Sequence, residues 1–251
     1  MAGDYKVVIY ENDSKDHTKE ILNQWAAQRS KKNIHVLLND IDDNKVIPPC
    51  SATTANPFFC KQRIAKMVAL RNNYMEYIAN QNWHADYLIV ADLDVEDIDL
   101  DGILSSFSTP EEWDAITAFG YSLSPKLRFR YHDTYALTEF DQQDDVQTEE
   151  MIYSAAGKYK KIKENNGLYR VFSAFGGLAI YRFTAIKNLK YQLLGNNNPR
   201  VEAHCEHYSI YRQMQAHGYD KVYINPRMKL KYQRISLKLI FNTLKRRLKI
   251  A

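Results

Sequence analysis

Two closely spaced carboxylates at the end of a short apolar run are the side chains best suited to chemistry. Residues 87–91 form the run, and Asp92 and Asp94 follow it directly. Alternation along an extended chain places both aspartates on the same side. Two carboxylates held together bind a hard divalent cation that also binds phosphate oxygens. A polar strand end with a turn or a helix cap has the same pattern, so the motif alone leaves both interpretations open.

The apolar run itself predicts a strand buried on both faces, because it is nearly continuous and rich in β-forming residues. Two more strands and two amphipathic helices precede it, and further strands and helices follow it. This alternation predicts an α/β fold with a mostly parallel central sheet flanked by helices. Ligands bind at the carboxyl edge of such a sheet. The predicted strands are Lys6–Tyr10, Asn33–Leu38, Trp113–Gly120, Leu178–Tyr181 and Lys221–Pro226, and the predicted helices are Thr18–Gln28, Lys61–Ala79, Ile98–Phe107 and one opening near Glu202.

Polar residues and glycines at other element ends each allow two interpretations. Glu11 or Asp13, after the first strand, can hydrogen-bond a ribose or base, or can serve as turn and cap residues. Arg71 on the long helix can clamp a phosphate, or can be solvated or paired with an acid. Gly176 and Gly177 let the backbone pass close to a ligand, or simply form a tight turn.

An acid- and histidine-rich segment stands later in the chain. Glu202, His204, Glu206 and His207 form either a metal-binding cluster or the exposed polar start of a helix. Their spacing is not the H-E-x-x-H of zinc metalloproteases. The sequence alone does not choose between these readings.

Composition narrows the class of protein. The chain has 251 residues, 45% hydrophobic and 25% charged, and a net charge of +4, so we expect one soluble domain over residues 1–233 without a nucleic-acid-binding footprint. Three cysteines without C-x-x-C spacing predict neither a disulfide framework nor a zinc finger, and favour a reducing, cytoplasmic location. Residues 234–251 interleave apolar and basic side chains, which predicts a C-terminal helix that either contacts a membrane peripherally or docks on the protein.

The order of these motifs resembles that of GT-A-type glycosyltransferases over about two thirds of the chain. The nearest likeness is to fungal capsule-associated mannosyltransferase-like proteins and related viral and bacterial capsule enzymes. Four segments and the double aspartate carry the resemblance: residues 7–18, Leu70-Arg71-Asn72, Asp92-Leu93-Asp94, Tyr131-His132-Asp133-Thr134 and 175–181.

The resemblance implies a GT-A-like, Rossmann-like domain that transfers a hexose from a UDP- or GDP-linked sugar to a glycan or glycoconjugate. Asp94, with Asp92 and His207, would hold Mn²⁺ or Mg²⁺. Contacts to the nucleotide sugar would come from Glu11, Asp13, Arg71, Asp92, Gly176 and Gly177. If the reaction inverts the sugar, the catalytic base would be Asp133, Glu202 or Glu206, which the sequence does not rank.

Two other functions share parts of this pattern. A nucleotidyltransferase also uses paired acids and a divalent ion, but residues 11–14 contain no glycine for the expected phosphate loop. A non-catalytic domain that binds nucleotide sugars or glycans is the second alternative. The intact Asp92-x-Asp94 pair and Arg71 argue against it.

Overall fold

The computed structural model describes residues 4–29, 33–39, 48–124 and 127–232. Its strands follow the β-rich apolar runs, and most begin and end within three residues of the predicted positions. They are β1 (Val7–Asn12), β2 (Ile34–Asn39), β3 (Tyr87–Ala91), β4 (Asp97–Ile98), β5 (Ala115–Leu123), β6 (Phe129–Tyr131), β7 (Tyr169–Arg170), β8 (Leu178–Arg182) and β9 (Val222–Lys231).

The two longest predicted helices are confirmed to the residue, because each has a clear start and a sustained apolar period. The 19-residue helix follows Cys60, whose Sγ accepts a hydrogen bond from the Arg63 amide. It buries Ile64, Arg71 and Met75 on one face. The α-helices are α1 (Thr18–Gln28), α2 (Lys61–Ala79), α3 (Leu100–Phe107), α4 (Glu149–Ser154), α5 (Tyr159–Lys163), α6 (Phe183–Ile186) and α7 (Glu206–Ala216).

The sheet differs from the predicted one. β1 and β2 form a separate parallel pair, and the other strands form a seven-stranded mixed sheet in the order β3-β8-β5-β9-β4, with β6 on β5 and β7 on β9. Within that sheet only β5 and β9 are parallel. The prediction of a mostly parallel Rossmann-like sheet is therefore wrong, and the described residues form a mixed α/β domain. Strand periodicity reports burial, not strand direction, which explains the error.

The strands buried on both faces are β5 and β8, not β3. In β5, Ala115 and Phe119 belong to the main core, whereas Ile116 and Ala118 pack in a smaller core on the opposite face. β3 pairs only with β8 among the described strands, and Ile89 is 48% exposed. The predicted burial of β3 on both faces is thus wrong. An apolar run does not reveal which strand lies at the centre of a sheet.

Cysteine pairing also differs from the expectation. Cys50 and Cys60 form a disulfide with their Cα atoms 6.1 Å apart, a normal span for such a bond. Cys205 is free and buried. The bridge links the segment before α2 to Cys60, the N-cap residue of that helix.

Neither the C-terminal segment nor the expected domain boundary is addressed by the structure, since residues 233–251 lie outside the described residues. Among the helices that are described, none combines the length and apolar character needed to cross a membrane.

Candidate active site

Backbone pairing fixes Asp92 beside a glycine turn. β3 runs antiparallel to β8, so Ala91 at its carboxyl end faces Leu178 at the start of β8. The Asp92 amide extends this ladder by donating a 2.9 Å hydrogen bond to the Gly177 carbonyl. Asp92 therefore stands at the Gly176–Gly177 turn.

A buried chain of charges connects Asp92 to two helices. Arg71 of α2 donates from Nε to Glu206 Oε1 of α7 at 2.8 Å and from Nη2 to Asp92 Oδ1 at 3.4 Å. The side chains of Arg71 and Glu206 are only 11% and 6% exposed. Buried charges persist in proteins when they are paired in this way. We call Arg71, Glu206 and Asp92 the Arg71 network.

The two acids of the Arg71 network have opposite pKa shifts. Burial alone would raise the pKa of Glu206, but the charges of His207, which is protonated only at acid pH, and of the Arg71 guanidinium outweigh it and lower that pKa to about 2. Burial raises the pKa of Asp92; Asp94 acts in the same direction, against the attraction of Arg71. Glu206 is therefore the permanently ionised partner of Arg71.

The carboxylate of Asp133 also contacts this turn. Asp133 follows β6, and its Oδ2 accepts a 3.1 Å hydrogen bond from the Gly176 amide. Burial raises the pKa of Asp133 to about 6 in spite of this bond, and Asp92 and Glu206 add to the rise. Asp92 and Asp133 thus meet at the Gly176–Gly177 turn, and Asp94 is close enough to raise the pKa of Asp92. We call these three residues the aspartate cluster. A carboxyl group that titrates near neutral pH can take or give a proton.

Both glycines of the turn are required by their surroundings. Gly176 and Gly177 have φ of +64° and +89°, in the left-handed region that favours glycine. A Cβ on Gly176 would lie 2.2 Å from the Ala118 carbonyl oxygen, and one on Gly177 would lie 2.8 Å from the Tyr232 hydroxyl. The tight-turn interpretation is confirmed, whereas close contact of this backbone with a nucleotide sugar stays a prediction.

Replacing Gly176 with alanine should destabilise the protein by at least about 1 kcal/mol, because the new methyl group meets backbone in a disfavoured conformation. Urea unfolding measures this. Gly157→Ala is the matched control, since Gly157 has no positive φ and nothing within 4 Å of its Cβ position. Equal losses of stability in the two variants would contradict the packing described for the turn.

Asp92 and Asp94 suit a divalent ion whose remaining coordination positions are filled by water and by the phosphates of a substrate. Asp94 is exposed and makes no hydrogen bond to any residue that the structure describes, while the Asp92 side chain is 31% exposed. Within the described ranges, no three or more His, Cys, Asp or Glu side chains are grouped to hold a metal ion. Mg²⁺ is usually bound by one or two carboxylates together with waters and substrate phosphates, and Asp92 and Asp94 fit that pattern.

His207 is enclosed instead of exposed. Its ring stacks on Phe175 at 3.8 Å between centroids and meets Tyr191 edge-on. Neither ring nitrogen has a hydrogen-bond partner among the described residues, and Nε2 lies 3.6 Å from Glu206 Oε1. Burial lowers the pKa of His207 to about 3, so the ring is neutral. The alternative of an exposed helix start is therefore wrong, and the role of third metal ligand stays a prediction.

Residues 3–214 match the family model described as Cryptococcal mannosyltransferase 1. The chain belongs to this family. The match covers most of the chain, includes all the predicted site residues from Glu11 to His207, and confirms the resemblance found in the sequence. Membership in this family supports the interpretation of the protein as a glycosyltransferase. No curated protein matches the chain.

In this mannosyltransferase-family chain, Glu202, one of the predicted catalytic bases, is hydrogen-bonded to the backbone near the start of α2. Glu202 Oε2 accepts a 3.1 Å hydrogen bond from the Lys61 amide, and the Glu202 amide donates to the Phe59 carbonyl. A carboxylate at this position stabilises the N-terminus of α2. Glu202 thus fastens the helix that carries Arg71, and its catalytic role stays a prediction.

Glu11 and Asp13 lie at the end of β1, in the two-stranded sheet. Glu11 Oε1 accepts a 2.8 Å hydrogen bond from the Ser14 amide, as a turn residue would. Glu11 Oε2 is buried and has no hydrogen-bond partner in the described part of the chain, and Asp13 has a φ of +58°. Contact of either residue with a nucleotide stays a prediction.

Two residues beside the aspartate cluster were not assigned a role from the sequence. The His132 and Tyr232 rings stack at 4.0 Å, next to Gly177. His132 lies within a segment that carried the resemblance, so it could have been singled out. Tyr232 has no sequence signal, because it is one of 18 tyrosines and lies beyond the matched residues.

Proposed function

We propose that the protein is a metal-dependent hexosyltransferase that moves mannose from a nucleotide-diphosphate sugar to a glycan or glycoconjugate. The observation that carries the proposal is the placement of Asp92 and Asp133 at one glycine turn, with Asp94 close enough to raise the pKa of Asp92 and of Tyr232. The family name supports mannose as the transferred sugar. Carboxylates held close together repel each other unless a cation lies between them, which favours a divalent ion at Asp92 and Asp94.

Asp94 and Asp92 are the proposed ligands of Mn²⁺ or Mg²⁺. When bound, the ion would neutralise the negative charge on the leaving diphosphate. Arg71 orients Asp92 and partly neutralises it, while Glu206 holds Arg71 in place. With two carboxylate partners already on its guanidinium, Arg71 is better suited to this positioning role than to a phosphate clamp.

Asp133 is the proposed acceptor of the proton from the attacking hydroxyl. The other two candidates have structural partners, since Glu206 is paired with Arg71 and Glu202 caps α2. Asp133 combines a position at the glycine turn with a pKa of about 6. The ionised form therefore predominates at neutral pH and can accept a proton.

The rate of transfer should fall as the pH drops through about 6, because protonation removes the ionised form of Asp133. One pH unit below that pKa, kcat/KM should be about tenfold lower than its plateau. A pH profile of kcat/KM measures this. Asp133→Asn should lose most activity and lack this limb, and the same limb in Asp133→Asn would exclude Asp133 as its origin.

Release of nucleoside diphosphate tests the proposed function itself. The purified chain would be incubated with GDP-mannose and with UDP-linked hexoses, with Mn²⁺ and with EDTA. Slow, Mn²⁺-dependent release of nucleoside diphosphate from one donor supports the transferase, as does faster release when mannose-terminated oligosaccharides are added. Donor binding without any release would support the non-catalytic alternative.

A further inference from the structure

Tyr232 stands at the edge of the aspartate cluster and is held there from two sides. Its amide donates a 3.1 Å hydrogen bond to the Tyr121 carbonyl, which fixes the backbone just after β9. Its ring stacks on His132 at 4.0 Å with 22° between the planes. His132 is fixed in turn, because its Nδ1 contacts Ser122 Oγ at 2.8 Å and its amide donates to the Gly120 carbonyl. The Tyr232 ring is therefore preorganised.

The Tyr232 hydroxyl lies over the glycine turn, within electrostatic reach of Asp133 and Asp92. It is 2.8 Å from the position a Cβ would take on Gly177, whose carbonyl receives the Asp92 amide. The neighbouring Gly176 amide donates to Asp133. The hydroxyl makes no hydrogen bond to any residue that the structure describes. Burial, then Asp133 and Asp92, raise the pKa of Tyr232, so the phenol stays protonated and can donate.

The surroundings of this hydroxyl indicate which part of a donor it would contact. A phenol supplies one donor and also accepts, while Asp133 beside it supplies acceptors. The hydroxyl groups of a hexose match such alternating donors and acceptors. A phosphate offers only acceptors, and nearby carboxylates would repel it wherever no cation lies between them.

We propose that Tyr232 is a specificity-determining residue whose hydroxyl, held over Gly177 by the stack on His132, hydrogen-bonds the sugar of the nucleotide-diphosphate donor. This inference rests on the proposed function, since it needs a donor at the aspartate cluster. It adds a residue beyond the segment that matches the family model.

The test compares Tyr232→Phe with the wild type in binding to GDP-mannose and UDP-glucose, and to GDP and UDP as their sugar-free counterparts. Isothermal titration with Mn²⁺ measures each affinity. Loss of one hydrogen bond should weaken binding of the sugar nucleotide by about tenfold and leave that of the nucleoside diphosphate unchanged. Phenylalanine keeps the ring stack, so the melting temperature should not change.

Tyr121→Phe is the matched control. Tyr121 is the backbone partner of Tyr232, but its hydroxyl is influenced by Asp97 and Asp99, outside the aspartate cluster. It should bind all four ligands as the wild type does. If Tyr232→Phe weakened the binding of sugar nucleotide and nucleoside diphosphate equally, or weakened neither, the role of Tyr232 would be overturned. The proposed function would still stand in that case, provided that the wild type binds a donor. A wild type that binds none of the four ligands would overturn both.

Discussion

Replacement of Asp94 by asparagine should lower the rate of sugar transfer by at least about a hundredfold, the usual scale for losing a group that stabilises transition-state charge. The substitution replaces the negatively charged carboxylate of the proposed metal ligand with a neutral amide of the same size. Asp94 is exposed and has no hydrogen bond to any described residue, so its replacement should leave the fold unchanged. Initial rates at saturating donor and Mn²⁺, with circular dichroism of both proteins, measure the two effects.

A nearby acid provides the control for this prediction. Asp97 is also exposed and lies three residues further along the chain, in the short strand β4. Asp97→Asn removes the same charge outside the aspartate cluster and should retain most activity. If Asp94→Asn kept more than half of the wild-type rate, Asp94 would not be a ligand of an essential ion.

Replacement of Arg71 by methionine should destabilise the protein by about 3–5 kcal/mol, the range for breaking a buried ion pair. The variant keeps the length of the side chain and its packing on Phe175, but leaves the buried Glu206 carboxylate and the partly exposed Asp92 carboxylate without their cation. The free energy of unfolding from urea titration measures the loss.

An exposed ion pair gives the comparison for Arg71. Lys190 contacts Glu76 at 2.8 Å, and these side chains are 60% and 54% exposed. Lys190→Met should cost less than about 1 kcal/mol, because water already solvates both charges. Similar losses in Arg71→Met and Lys190→Met would show that the Arg71 network does not behave as a buried unit.

Secondary structure was predicted well wherever the local signals were strong. The bounds of α1 and α2 follow from sustained apolar periods, and β8 follows from a short apolar run after two glycines. The arrangement of the strands was not predictable in the same way. Whether β3 runs parallel or antiparallel to its neighbour depends on contacts between Leu88 and Tyr181, which are 93 positions apart in the sequence. Those contacts leave no local pattern.

Parts of the candidate site were also accessible from sequence. The double aspartate, Arg71, Asp133 and the glycine pair were all singled out, and most of them are joined by hydrogen bonds around the turn. The sequence could not reveal which side chains pair with each other. Glu206 and Glu202 were equal candidates for a base, but one neutralises Arg71 and the other caps α2.

Burial explains the remaining differences between expectation and structure. The segment from Glu202 to His207 looked like a polar helix start, yet Glu206 and His207 are buried because Arg71 and Phe175 cover them. Tyr232 was passed over because its contacts with His132 and Gly177 are nonlocal. Pairing of charges and stacking of rings across distant segments thus decide the chemistry of this site.

The measurement that tests the central claim most directly is thermal stabilisation by donor. Wild type and Asp94→Asn would be melted with GDP-mannose and UDP-linked hexoses, each with and without Mn²⁺. A donor at a hundred times its dissociation constant stabilises a protein by about 2.7 kcal/mol. The account predicts that one donor stabilises the wild type in the presence of Mn²⁺ and has no such effect in Asp94→Asn. Stabilisation of equal size in both proteins would place the donor away from the aspartate cluster and contradict the account.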